Sequence, residues 1–188
     1  MQKKTKKEIE SIVNKVINKT KTRNPRDICS YYNINLFYHN LNKCLKGYFF
    51  CQSRICNIVI DENVVEIFRD ILIAHELGHY FLHRDALVKG FKEQDIFSPS
   101  QTDTAETEAN LFSSELLLED EQVLRELQNH TFFEAAHILC VPPQLISYKL
   151  SMMQERGIIN HWEQYFQADF LKGGHKIYNS KNDHYFEP

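Results

Sequence analysis

The run Ile71-Leu72-Ile73-Ala74-His75-Glu76-Leu77-Gly78-His79-Tyr80-Phe81-Leu82-His83 constrains the chain more than any other stretch. Ile71, Leu72, Ile73, Leu77, Phe81 and Leu82 belong on a helix that crosses a core, yet two imidazoles and a carboxylate sit among them. A fold that takes in this helix must satisfy those polar groups. Residues four apart on a helix lie about 40° apart around the axis and about 6 Å apart along it, so His75 and His79 can face one metal ion. Glu76 projects nearby without joining them. That suits a carboxylate which accepts a proton from water, once a metal has lowered the water's pKa to about 7. The pattern is the HExxH of zinc hydrolases, with Gly78 expected to leave room beside the metal.

The 188 residues, 43% of them hydrophobic, suffice for one good core and a small appended module. The basic start Lys3-Lys4-Thr5-Lys6-Lys7 leads into an amphipathic segment rather than an apolar one, so no secretory signal is expected. No apolar run reaches the roughly 18 residues of a membrane span. Cys29, Cys44, Cys51, Cys56 and Cys140 are odd in number and lack CxxC spacing, which predicts reduced thiols in a cytoplasmic protein. The net charge of −3 is unevenly spread: residues 3–26 hold nine Lys or Arg against two Glu, and residues 93–126 hold ten acids against Arg125. The basic end reads as a solvated helix face, and the acidic stretch as the surroundings of a cation site.

Ile9, Ile12, Val13, Val16 and Ile17 predict an amphipathic helix over 8–20, and Asn24-Pro25 starts a short second one ending near Asn33. Segments 34–38, 47–51 and 55–60 are rich in Ile, Val, Phe and Tyr and read as a small three-stranded antiparallel sheet. Its edge could align an extended peptide. Asp61-Glu62-Asn63 then caps a motif helix over 64–83. Residues 84–100 read as a connection bordering the site. Thr102 or Asp103 is expected to cap the following helix, whose Ala105, Ala109, Leu111, Phe112, Leu116 and Leu117 should pack on the motif helix. Residues 132–150 have a helix-turn-helix outline. Its second helix has only Lys149 and Arg156 as strongly basic residues, so a structural or partner-binding use is favoured over reading DNA. The predicted class is α+β: a mainly helical domain over 1–120, a helix-turn-helix-like extension over 121–160, and a partly irregular tail over 161–188.

Catalytic zinc generally takes three protein ligands, leaving one position open. His83, Asp103, Glu106 and Glu108 are the downstream candidates. His83 lies about 12 Å from His75 along a straight helix, too far to share an ion. Glu106 and Glu108 face different sides of their helix, and spacing alone does not choose between them.

Val59-Ile60-Asp61, the run from Ile73 to His83, and Glu106-Thr107-Glu108-Ala109-Asn110-Leu111-Phe112-Ser113-Ser114-Glu115-Leu116-Leu117-Leu118 together resemble the ImmA/IrrE metallopeptidases. The resemblance covers about 27–156. It departs from the family at Leu118-Glu119, where members often carry Met-Pro or Leu-Pro. It implies a zincin-like fold, one Zn²⁺ held by His75, His79 and Glu106, Glu76 as the catalytic base, and Asn110 orienting a ligand imidazole. It also implies a cytoplasmic, site-specific endopeptidase that cleaves a helix-turn-helix repressor and so acts as an antirepressor of a mobile element or stress regulon. Neither direct DNA binding nor a membrane role is expected. Residue chemistry alone reaches only zinc-dependent hydrolysis. A repressor- or DNA-binding module with structural zinc, and a zinc amidase for small molecules, are the rival readings. Tyr80, His130, His137 and Tyr148 are the candidate oxyanion stabilisers.

Overall fold

Residues 3–42, 45–88 and 99–160 are described by a computed structural model, with the main chain alone for 85–88 and 99–103. The chain divides after Glu119 into two compact units.

The first unit opens with α1 (Lys6–Thr20), whose start is fixed by a capping box: Thr5 accepts from the Glu8 amide and the Glu8 carboxylate accepts from the Thr5 amide. Ile9, Val13 and Val16 form its buried stripe. Asn24 caps α2 (Pro25–Tyr31), with Pro25 in the first turn and Ile28 and Cys29 buried.

Three strands follow, β1 (Ile34–His39), β2 (Gly47–Gln52) and β3 (Ile55–Asp61). The sheet is mixed, with order β1-β3-β2, and the expected all-antiparallel arrangement is corrected on this point. β2 and β3 form an antiparallel hairpin, whereas β1 runs parallel to β3 on its other side. The burial patterns explain the order: β3 is buried at every position after Ile55 and takes the centre, while β1 and β2 alternate and take the edges. Alternation reports which faces are covered, not which direction a neighbour runs, so the sequence did not encode the parallel pair. Ser53 and Arg54 close the hairpin with φ of 51° and 69°, a turn whose twist suits two antiparallel strands.

That register puts Cys51 opposite Cys56, with their Cα atoms 4.1 Å apart, and the two are joined by a disulfide. The expectation of reduced thiols is therefore overturned for this pair, because cross-strand register brings together cysteines that no CxxC motif announces. Burial pushes the Cys29 thiol up to about 12, while Cys140 is exposed.

The motif helix is α3 (Glu66–Val88), starting later and ending later than the predicted 64–83. Arg69 fastens its entry by donating to the carbonyls of Glu62 and Val64, and its guanidinium lies over the Tyr38 ring of β1. The next helix, α4 (Pro99–Leu117), begins at a proline in its first position, ahead of the expected caps at Thr102 or Asp103. Residues 84–88 and 99–100 are thus helical rather than part of a connection, and the expectation for 89–98 lies outside the described residues. Arg23 Nη1 donates to the carbonyls of Glu115 and Leu116 and closes the far end of α4.

Gly78 does not serve as room beside a metal, as the sequence suggested. A Cβ there would lie 2.8 Å from Ala109 Cα, so at Gly78 and Ala109 the two helices approach nearly to backbone contact. Gly78→Ala is expected to destabilise the fold, since overpacking costs about 1–3 kcal/mol against the roughly 1 kcal/mol that alanine gains over glycine in a helix. A lower urea midpoint at unchanged slope would register it.

The second unit holds α5 (Asp120–Asn129), α6 (Phe132–Ile138) and α7 (Pro143–Glu155) around Val123, Leu127, Phe132, Ile146, Leu150 and Met153. Thr131 and Glu134 form a capping box at α6, and Cys140, at φ 55°, turns the chain toward α7. Two helices about a tight turn are present, but they do not by themselves make a DNA-reading module. Lys149 is 1% exposed and its Nζ lies 2.8 Å from Asp120 Oδ1, which Arg156 Nη2 also reaches at 2.6 Å. Both basic residues of the expected second helix are therefore engaged inside the unit. The 161–188 tail lies outside the described residues. Among the described residues, no helix is long and apolar enough to cross a membrane.

Candidate metal centre

Helical spacing on α3 brings His75 and His79 onto one side, with their Nε2 atoms 3.1 Å apart. α4, held close by the Gly78–Ala109 approach, delivers Glu106 to the same point. Its Oε2 lies 3.1 Å from His75 Nε2 and its Oε1 lies 3.4 Å from His79 Nε2. One donor atom from each of the three residues falls within 4.8 Å of the others.

The remaining ring nitrogens decide what that cluster can hold. His75 Nδ1 is 2.9 Å from Asn110 Oδ1, an oxygen that only accepts, so Nδ1 carries the hydrogen and donates. His79 Nδ1 lies 3.1 Å from His83 Nδ1. Where both Nδ1 atoms carry the hydrogen, two Nε2 lone pairs and a carboxylate converge on one point. Such a set is stable around a cation, and two imidazoles with one carboxylate match a catalytic zinc set that keeps an open position.

The electrostatics agree. In their protonated form the imidazoles of His75 and then His79 hydrogen-bond Glu106 and hold its carboxyl well below the usual carboxylate range. Burial pulls the His75 imidazole down, but the hydrogen bond that its protonated form donates to Glu106, the charges of Glu76 and Glu106, and Asn110 together carry it above its ordinary value. The centre is a place where positive charge is favoured.

Glu76 stays outside the donor cluster. It is 6% exposed, and burial pushes its carboxyl up against the opposing pull of His79 and His75. Gly47, the first residue of β2, passes beside it, and a Cβ at Gly47 would come within 3.4 Å of Glu76 Oε1. The sequence reading missed this glycine. Its only signal was a glycine opening a strand, where a backbone approaches something closely.

Of the other third-ligand candidates, His83 and Glu108 pair with each other, Nε2 to Oε2 at 3.0 Å, and are 4% and 2% exposed. Burial pushes His83 below its ordinary value, with the Glu108 hydrogen bond opposing. The Asp103 side chain lies outside the described residues. Tyr80 accepts from Arg84 Nη1 at 3.1 Å, and its ring packs against Phe49 and Tyr32. His130, 3.4 Å from Glu126 Oε2, belongs to the second unit, as do His137 and Tyr148.

Comparison with known proteins follows the same lines. Residues 29–151 match the Peptidase_M78 family model, described as the IrrE N-terminal-like domain. The chain is 39% identical over 124 residues to the uncharacterized immunity region protein 2 of Bacillus phage phi105, covering 66% of this chain and 76% of that one. It is 32% identical over 152 residues to the metallopeptidase ImmA of Bacillus subtilis (strain 168), covering 79% of this chain and 88% of that protein. The chain belongs to the M78 peptidases, the ImmA/IrrE family, which are metallopeptidases.

Proposed function

We propose that this protein is a zinc-dependent, site-specific endopeptidase that cleaves a helix-turn-helix repressor and so relieves repression. The observation that carries the reading is the convergence of His75, His79 and Glu106 beside the buried carboxylate of Glu76. His75 Nε2, His79 Nε2 and one Glu106 oxygen are the groups that would hold the metal. A bound Zn²⁺ supplies a Lewis acid that polarises a peptide carbonyl and acidifies water at the open position.

The residues of the chain do the rest. Asn110 keeps the hydrogen of His75 on Nδ1, leaving Nε2 free to ligate. Glu76, its affinity for protons raised by burial, accepts a proton from the attacking water and passes it to the departing amine. Among the described residues β2 pairs only with β3, so its other edge can hydrogen-bond an extended peptide. Gly47 brings that strand against Glu76. An edge of this kind favours a peptide over a compact small molecule.

The repressor assignment rests on the phage immunity-region relative and on ImmA, both similar to this chain over most of their length. Incubating the zinc-loaded protein with the repressor encoded beside its gene should give two fragments whose masses add up to the repressor plus one water. An intact repressor after prolonged incubation would remove that substrate, and cleavage that continues in excess chelator would remove the metal.

A further inference from the structure

His83 is no ligand, yet it is bonded to one. A continuous line of contacts runs from the start of the described chain into the metal centre. The Lys4 backbone N–H donates to Glu108 Oε1 at 2.7 Å, and Lys4 Nζ donates to the Leu82 carbonyl at 2.7 Å. Glu108 Oε2 meets His83 Nε2 at 3.0 Å, and His83 Nδ1 meets His79 Nδ1 at 3.1 Å.

With His83 neutral, the hydrogens on this line have one consistent arrangement. A carboxylate only accepts, so His83 Nε2 carries a hydrogen and donates it to Glu108. A neutral imidazole then has a bare Nδ1, which accepts. His79 Nδ1 must therefore be the donor, and its Nε2, the atom facing His75 and Glu106, is left bare. Protonating His83 on both nitrogens, or removing its acceptor, would break this assignment. His75 is oriented differently, by the neutral amide of Asn110 acting directly.

We infer that Glu108 and His83 are positioning residues for His79: Glu108, steadied by the Lys4 amide, fixes the His83 ring, which holds the His79 imidazole with Nε2 turned to the metal. The inference rests on the reading of His75, His79 and Glu106 as the ligand set. It assigns the second glutamate of the Glu106-Thr107-Glu108 pair a task distinct from the first. It also makes the two imidazoles unequal in how they are held, His75 by a neutral amide directly and His79 by a carboxylate acting through a second imidazole.

The test is zinc affinity, measured on the full chain by competition with a chromophoric chelator, together with the absorption spectrum of the cobalt-substituted protein and the melting temperature of the metal-free form. His83→Phe keeps a ring of similar size and loses both hydrogen bonds. His83→Gln offers an oxygen to His79 and an amide hydrogen to Glu108. Glu108→Gln leaves one acceptor where Lys4 and His83 both donate. His83→Phe and Glu108→Gln should each bind zinc about 10–100-fold more weakly and alter the cobalt spectrum, with His83→Gln restoring affinity to near the wild-type level. In the His83→Phe background, adding Glu108→Gln should change affinity little, since the line is already cut.

A merely structural role predicts the opposite ranking, with Phe tolerated better than Gln and the two effects multiplying. Wild-type zinc affinity in His83→Phe and Glu108→Gln, beside zinc loss in Glu106→Ala, would overturn this inference alone. Wild-type affinity in Glu106→Ala as well would overturn the ligand set beneath it. Should His83→Phe fail to fold, Glu108→Gln against His83→Gln still decides.

Discussion

Glu76→Gln should bind zinc as tightly as the wild type and cleave its substrate about 10²–10⁴-fold more slowly, the range that a positioned general acid–base contributes. Glutamine keeps the size and polarity of the side chain and lies outside the donor cluster of His75, His79 and Glu106, so neither the fold nor the ligand set changes. What it cannot do is accept a proton from the attacking water. The sign of the pH dependence follows from burial. Burial raises the Glu76 carboxyl above its ordinary 4.5, and only its ionised form is a base, so kcat/KM should rise with pH through a value above 4.5 on the acid limb. Single-turnover cleavage across pH, alongside metal analysis of the same preparations, checks both statements. Full cleavage by Glu76→Gln would end its assignment as the base.

Glu106→Ala should lose the metal and with it all activity. Removing one of the three proposed ligands leaves two imidazoles, their Nε2 atoms 3.1 Å apart, without the carboxylate oxygen that completes the donor set. It should also change the protein without metal. Glu106 holds part of the positive character of His75 in place, and without it the burial of that imidazole acts unopposed by its largest partner. Glu108→Ala differs in kind: it should weaken zinc binding without abolishing it, because Glu108 reaches the metal centre only through His83. Metal stoichiometry after extensive dialysis separates the two variants. Zinc lost from Glu108→Ala and kept by Glu106→Ala would exchange their roles.

The parts of this site that lie along one element could be read directly from the sequence. His75 and His79 are four residues apart on a helix, and no packing decision can separate them. Parts that depend on how two elements meet could not. Glu106 and Glu108 are two residues apart, and spacing shows only that they face different sides of α4. Which side meets α3 is set by the close approach of Gly78 to Ala109, and the sequence reading gave Gly78 another purpose. Likeness to a family, not periodicity, singled out Glu106.

The same distinction runs through the fold. The strands were recognisable from their composition, but β3 takes the central position and β1 the parallel one because of sheet order. The Cys51–Cys56 bond follows from register. No local pattern connects Lys4 to Glu108, 104 residues away, and only packing of the folded unit brings them together. The extension of α3 to Val88 continues helical geometry past His83, where the apolar spacing that marks the helix runs out.

Crystals of the zinc-loaded protein measured on both sides of the zinc absorption edge would test the central claim most directly. The account predicts one anomalous peak, within bonding distance of His75 Nε2, His79 Nε2 and a Glu106 oxygen, with Glu76 beside it and unbonded to it. A peak between His83 and Glu108, a peak ligated by Glu76, or no peak at the HExxH helix would contradict it.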